Sequence, residues 1–205
     1  PQYGFGRGFG TMDLGTSWLR WAGLQRPLER LRLLRRTDNY PRYNAQELTD
    51  RAIAWIDAHA GADAPLFLYL HYADPHTPYA PPADQDRWRE FAGEAARRLA
   101  DPPVSGPRPG QRFTEAQRDA LRARYDAEIA FFDHHFGRLL DHLATRGLYD
   151  EALVVLTSDH GEELGEHGGF GHAHSLENEL LHVPLVVKLP DAAGRRGVRS
   201  SEIAG

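Results

Sequence analysis

One stretch narrows the fold of this chain more than any other. Residues 153–157 (LVVLT) form a short apolar run rich in β-branched side chains, and they lead within two residues into Asp159, His160 and Gly161. Such a run, too short for a helix, is expected to be a strand buried on both faces of a sheet. Polar residues able to bind metal crowd the next turns: Glu162, Glu163, Glu166, His167, His172 and His174. A second apolar run, residues 185–189, closes the unit. In an open α/β sheet, ligands collect beyond the carboxyl ends of the strands, so an Asp-His pair at that point is placed for chemistry. A carboxylate and an imidazole make half a shell for a divalent cation, because both offer lone pairs while other ligands arrive from elsewhere. An Asp after a strand is often only a turn former; the density of histidines downstream favours the metal reading.

A comparable arrangement lies upstream. Residues 44–59 read as a helix, with Asn44 as its cap, Glu47 at the capping-box position, and Leu48, Ala52, Trp55, Ile56 and Ala60 on one face. Gly61 supplies the stop. Residues 66–72 (LFLYLHY) then read as a buried strand, with His71 as a core or supporting residue, and the loop beyond carries Asp74, Pro75, His76, Thr77 and Pro78. Prolines on both sides stiffen the backbone and hold His76 at the mouth of the sheet. A longer helix opens at Thr114, with Gln117 three residues on to complete a capping box. Leu121, Tyr125, Ile129, Phe132, Phe136, Leu139 and Leu143 follow at the spacing of one buried stripe, and Gly147 ends it. His134, His135 and His142 on this helix read as packing residues. Strand, helix and the strand at 153–157 predict a right-handed parallel unit, which brings both Asp-His turns to one edge of one sheet.

TSDHGEELGEHG followed by FGH and VPLVVKLP, together with FLYLHYADPHTPYAPP at residues 67–82, closely resembles two blocks of the catalytic domain of sulfatases, in the alkaline phosphatase superfamily. The order and rough separation match, and the resemblance runs from about Thr37 onward. It implies an α/β fold: a mostly parallel sheet flanked by helices in a three-layer, alkaline phosphatase-like sandwich, present here incompletely. Residues 1–205 are then part of one catalytic domain, without its nucleophile-bearing start and without its end. Family members use a formylglycine made from Cys or Ser in a C/S-x-P/A-x-R motif, and place two adjacent Asp ligands near it. Neither feature stands in this sequence, so formylglycine is expected in the missing part.

By the same resemblance Asp159 and His160 are metal ligands, with Ca2+ the expected ion and Mn2+ or Zn2+ the alternatives. His76 matches the histidine that contacts the sulfate group, and His172 stands where many relatives carry Lys, so both are expected to be catalytic. A protonated His172 would neutralise anionic oxygen; a neutral one would coordinate a second metal. The implied activity is hydrolysis of a small-molecule or glycan sulfate ester, in an extracytoplasmic location. The His172 substitution keeps open a phosphodiesterase, a phosphonate monoester hydrolase or a phosphoethanolamine transferase; a third reading is a truncated, inactive metal-binding module.

Other features exclude rather than assign. The net charge of -5 gives no basis for nucleic-acid binding, no apolar run approaches the roughly 20 residues of a membrane span, and the first residues do not read as a signal peptide. With no cysteine there is no disulfide and no thiolate metal site. Residues 17–36 carry six arginines among Leu and Trp. They are expected to form a helix with a solvated basic face broken at Pro27, a membrane-surface helix being the sharper alternative. Residues 83–112 read as a surface insertion shaping a substrate pocket. Glu162, Glu163 and Glu166 are expected to be mostly solvated or supporting, His167 structural, and Ser175 a helix cap. Ser158 lacks the G-x-S-x-G setting of a serine nucleophile.

Overall fold

The elements run α1 (Ala45–His59), α2 (Glu115–Thr145), β1 (Val154–Thr157), β2 (Glu163–Leu164), β3 (Phe170–Gly171), α3 (Asn178–Leu181) and β4 (Leu185–Lys188). The computed structural model describes residues 43–61, 65–77, 79 and 113–191. The chain divides into two units, Pro1–Asn44 and Ala45–Gly205, and the elements belong to the second. The expectations for residues 17–36 and 83–112 lie outside the described residues.

α2 is the spine. It starts as its sequence demands: the Thr114 side chain accepts from the Gln117 amide while the Gln117 side chain accepts from the Thr114 amide, the reciprocal capping box. At about 1.5 Å per residue its 31 residues span about 46 Å, and buried clusters follow it from end to end. Near its start Leu121 packs with Tyr79, Leu164 and Phe170, with Phe113 and Tyr125 alongside. In its middle Phe131 packs with Ala45 of α1 and with Tyr72. Toward its end Leu139 meets Ala52 and Ile56 of α1, with Leu68, Leu70 and Leu148 against them. The buried stripe differs from the expected one. Ile129 is 41% exposed, while Ala120, Ala127, Glu128 and His135 are buried beside Leu121, Phe131 and Leu139. Small residues at 120 and 127 allow close approach, and polar groups are taken in with partners. Arg138 donates to His135 Nδ1 (2.9 Å), and burial, reinforced by the positive neighbours, pushes His135 down to about 4, so it packs as a neutral ring. His142 faces Asp57 of α1 at 3.0 Å, a packing role in keeping with expectation. α1 also turns slightly from its expected face: Thr49 is buried and bonded to Tyr72 Oη and the His135 carbonyl, whereas Leu48 is only half-buried.

The sheet departs from expectation. β1 pairs with β4 in antiparallel register, Val154 opposite Lys188 through Thr157 opposite Leu185. The parallel unit with residues 66–72 is not formed among the described residues, where that segment belongs to no strand ladder. Burial along it still alternates: Leu66, Leu68, Leu70 and Tyr72 are half-buried, while Phe67, Tyr69 and His71 are exposed, which removes His71 from the core. One face packs on the helices as a strand's would. β1 likewise is buried on alternate residues rather than on both faces, with Val155 55% exposed. A strand is covered on both faces only when further layers flank it. The β1–β4 pair is anchored at one end by Lys188, whose ammonium donates to the carbonyls of Tyr149, Asp150 and Ala152.

Candidate active site

Two loops converge. One follows residues 66–72 and carries His76; the other runs from the end of β1 to α3 and carries Asp159, His160, Glu162 and His172. The His160 and His172 rings stack at 4.0 Å between centroids, and His76 stands edge-on to both, at 4.9 Å from His172 and 6.2 Å from His160. Three of the four residues singled out from sequence therefore form one cluster. Asp159 sits at its margin with a side chain 72% exposed and Oδ1 3.9 Å from His160 Nε2.

Hydrogen bonds set how each ring is presented. A carbonyl or carboxylate oxygen only accepts, so a ring nitrogen facing one must carry the proton. His76 Nδ1 donates to the Thr77 carbonyl (2.7 Å) and His160 Nδ1 to the Gly161 carbonyl (2.8 Å). His172 Nδ1 donates to Glu162 Oε1 at 2.9 Å. In the neutral form of each ring the lone pair is therefore on Nε2. Such fixing of one nitrogen by an outer partner is how proteins orient metal-binding and acid-base imidazoles.

Beneath the rings the loop is held by buried carboxylates: of the two expectations for Glu162 and Glu163, solvated or supporting, the second describes them, since both are buried. Glu162 Oε2 accepts from Tyr79 Oη at 3.0 Å. Burial, and then the Glu162 charge, push the Tyr79 hydroxyl far up, so it stays protonated and donates. Glu163, 1% exposed, accepts from the amides of His167 and Gly169 (both 2.9 Å) and from His174 Nε2 (2.8 Å). A Cβ at Gly169 would lie 2.4 Å from His174 Nε2 and 2.6 Å from Glu163 Oε2, so any other residue there must displace that pair. Gly161 is equally constrained: its amide donates to the Leu180 carbonyl, and a Cβ would lie 2.0 Å from the Glu179 carbonyl oxygen, so α3 presses directly on the Asp159-His160 turn. His167, half-exposed, reaches Glu179 at 3.3 Å. Ser175 does not cap α3: the N-cap position is Glu177, without a side-chain cap bond. The Ser158 hydroxyl donates to the His160 carbonyl (2.6 Å), which makes it part of the turn.

Two donors of one tetrahedral ion at about 2.1 Å lie about 3.4 Å apart; Asp159 Oδ1 and His160 Nε2 are 3.9 Å apart, so the exposed Asp159 carboxylate would have to move in slightly to share a cation with His160. His76, Glu162 and His172 also bring one donor atom each within 4.8 Å of one another. As bonded here, Glu162 serves His172 and Tyr79. Nothing in the sequence distinguished Glu162 from its exposed neighbour Glu166; its role depends on Tyr79, 83 residues away.

With that geometry in place the comparisons are decisive on family. The Sulfatase family profile matches residues 9–203. The chain belongs to the sulfatase family. Human iduronate 2-sulfatase is 27% identical over 71% of this chain and 30% of its own length. Among solved structures, yidJ from Bacteroides fragilis superposes with a TM-score of 0.58 at 25% identity, covering 74% of this chain and 32% of its own. A phosphonate monoester hydrolase from Silicibacter pomeroyi gives 0.52 at 27% identity over 87% of this chain and 42% of its own. The fold is thus of the alkaline phosphatase-like α/β type, and the chain spans about a third of the length of the curated relatives it matches.

Proposed function

We propose that this sulfatase-family chain supplies the cation- and anion-binding face of a metal-dependent hydrolase of sulfate esters. The observation that carries this reading is the meeting of His76, His160 and His172 from two separate loops, all with Nε2 as the lone-pair nitrogen. Asp159 and His160 are the ion's ligands from this chain, completed by ligands from the remainder of the enzyme. Ca2+ is the ion this reading takes first, with Mn2+ and Zn2+ as alternatives, Zn2+ being the one that accepts imidazole most readily. When bound, such an ion polarises an ester oxygen and lowers the pKa of the attacking group. His76 and His172 act on the transferring group. As imidazolium, each donates from Nε2 to an anionic oxygen; as imidazole, each accepts a proton at the same atom. No C/S-x-P/A-x-R motif stands in these 205 residues, so the nucleophile belongs to the rest of the enzyme. A sulfated glycan or small molecule as substrate, and an extracytoplasmic location, accompany this reading.

The test uses the full-length enzyme. His76→Ala and His172→Ala are expected to lower turnover of an aryl sulfate by about 100-fold or more without lowering the melting temperature comparably, and Asp159→Ala to lose bound metal by elemental analysis. Unchanged rates in both histidine variants, or undiminished metal in Asp159→Ala, would overturn the assignment. The likeness to a phosphonate monoester hydrolase, with His172 in place of the commoner Lys, supports a second reading. Faster turnover of an aryl phosphonate monoester than of the aryl sulfate would establish it.

A further inference from the structure

Among the described residues, Glu162 is the carboxylate of the site that is buried and bonded through both oxygens to side chains. Its side chain is 4% exposed; Oε1 accepts from His172 Nδ1 at 2.9 Å and Oε2 from Tyr79 Oη at 3.0 Å. Tyr79 is itself 1% exposed and locked by aromatic neighbours, Tyr125 at 5.3 Å and Phe170 at 5.8 Å between centroids. Tyr79 lies three residues beyond His76, so the residue that aims Glu162 belongs to the His76 loop. The outer partners of His76 and His160 are backbone carbonyls, which no substitution removes. His172 Nδ1, by contrast, is bonded to a side-chain carboxylate, which substitution can remove.

We propose that Glu162 is the positioning residue of His172: its buried carboxylate holds Nδ1, fixes the ring's orientation and tautomer, and leaves Nε2 as the nitrogen that meets the ester. This deepens the hydrolase reading and rests on it for its consequence in turnover, but not for its geometry. Nδ1–H bonded to a carboxylate is retained whether the ring is neutral or protonated, so Nε2 is the nitrogen left for a further partner. A ring has two nitrogens that can exchange roles, and a buried carboxylate on one of them removes that ambiguity.

The tautomer is measurable without turnover. In long-range proton–nitrogen NMR spectra of the full-length enzyme at about pH 9, where free imidazole is neutral, His172 is expected as a single Nδ1–H form. Tyr79→Phe should preserve that form, and Glu162→Leu should shift it toward the Nε2–H form that an unconstrained histidine prefers. In the full-length enzyme Glu162→Leu is expected to lower kcat by about 10–100-fold. An Nε2–H His172 in the unsubstituted chain overturns the proposal even if the variant fails to fold, and so does an unchanged Nδ1–H form in folded Glu162→Leu. A full-length enzyme inactive on sulfate and phosphonate esters, with His172 still Nδ1–H, would remove the hydrolase reading and leave the positioning geometry standing.

Discussion

The Glu163–His174 pair allows a contrast between removing a partner and removing a charge. In His174→Ala the Glu163 carboxylate, 1% exposed, keeps only the His167 and Gly169 amides. Stranding one member of a buried pair costs about 3–5 kcal/mol. The His174 side chain is 24% exposed, so water can reach the gap and the lower end, about 3 kcal/mol, applies. Glu163→Gln preserves shape and bonding. The amide oxygen still accepts from both backbone groups, and the new NH2 donates to His174 Nε2, while His174 Nδ1 donates to the His172 carbonyl at 3.2 Å. Only the charge is lost, at about 1 kcal/mol. At about 2–4 °C per kcal/mol for a chain of this size, the melting temperature should fall by about 6–12 °C in His174→Ala and by about 2–4 °C in Glu163→Gln. Thermal unfolding at pH 6 followed by circular dichroism reads both. Equal losses would refute the argument, because they would mean that packing, and not a stranded charge, governs the loop.

Three further outcomes follow from the same geometry. Burial raises Glu163, but the bonds from His174, Gly169 and His167 outweigh it and hold its carboxyl below the usual 4.5. Bonding to Glu163 lifts His174 above 6.5. The His174 contribution is therefore full below 6.5 and lost as pH rises through its folded value. The Glu163 contribution is present above 4.5 and lost as pH falls through its folded value. Stability of the loop should peak between these limits in a urea-denaturation series, and Glu163→Gln should flatten the alkaline limb. Gly161→Ala must displace α3 or the metal turn to accommodate its 2.0 Å overlap; a loss of about 1–3 kcal/mol is expected in urea unfolding, with weakened metal retention in the full-length enzyme. Phe131→Ala, at a site fully buried between α1 and α2, should cost about 3–5 kcal/mol by the same measurement.

Local chemistry was legible in the sequence where the residues that decide it are neighbours. The Thr114–Gln117 capping box is complete within four residues, and it formed. Gly61 and Gly147 were expected to stop their helices and do so with φ of +116° and +69°, values that other residues rarely adopt. The buried face of α2 was less legible. Apolar spacing pointed to Ile129, yet the helix turns Ala127, Glu128 and His135 inward, because close packing on α1 selects small side chains and His135 brings its own donor in Arg138. Strand burial could not be read at all from residues 66–72 or 153–157. Whether an apolar strand is covered on one face or two depends on which layers lie over it, and those are not encoded in the strand.

The convergence of the site was anticipated on one ground and is achieved on another. A parallel strand-helix-strand unit was expected to carry both Asp-His turns to one sheet edge, but the described residues show β1 paired only with β4. The turns are joined instead by the cluster at the start of α2: Tyr79 from the His76 loop packs with Leu164 and Phe170 from the His172 loop, all against Leu121. Each of these is an ordinary apolar or aromatic residue when read alone, which is why the sequence marks the histidines and not the side chains that bring them together. Tyr79 is the exception in kind, because its hydroxyl reaches through that cluster to Glu162. A core contact and a contact to the site's carboxylate are thus made by one side chain. Substituting its ring should therefore separate the loops and lower turnover together, whereas removing its hydroxyl alone should leave the loops joined.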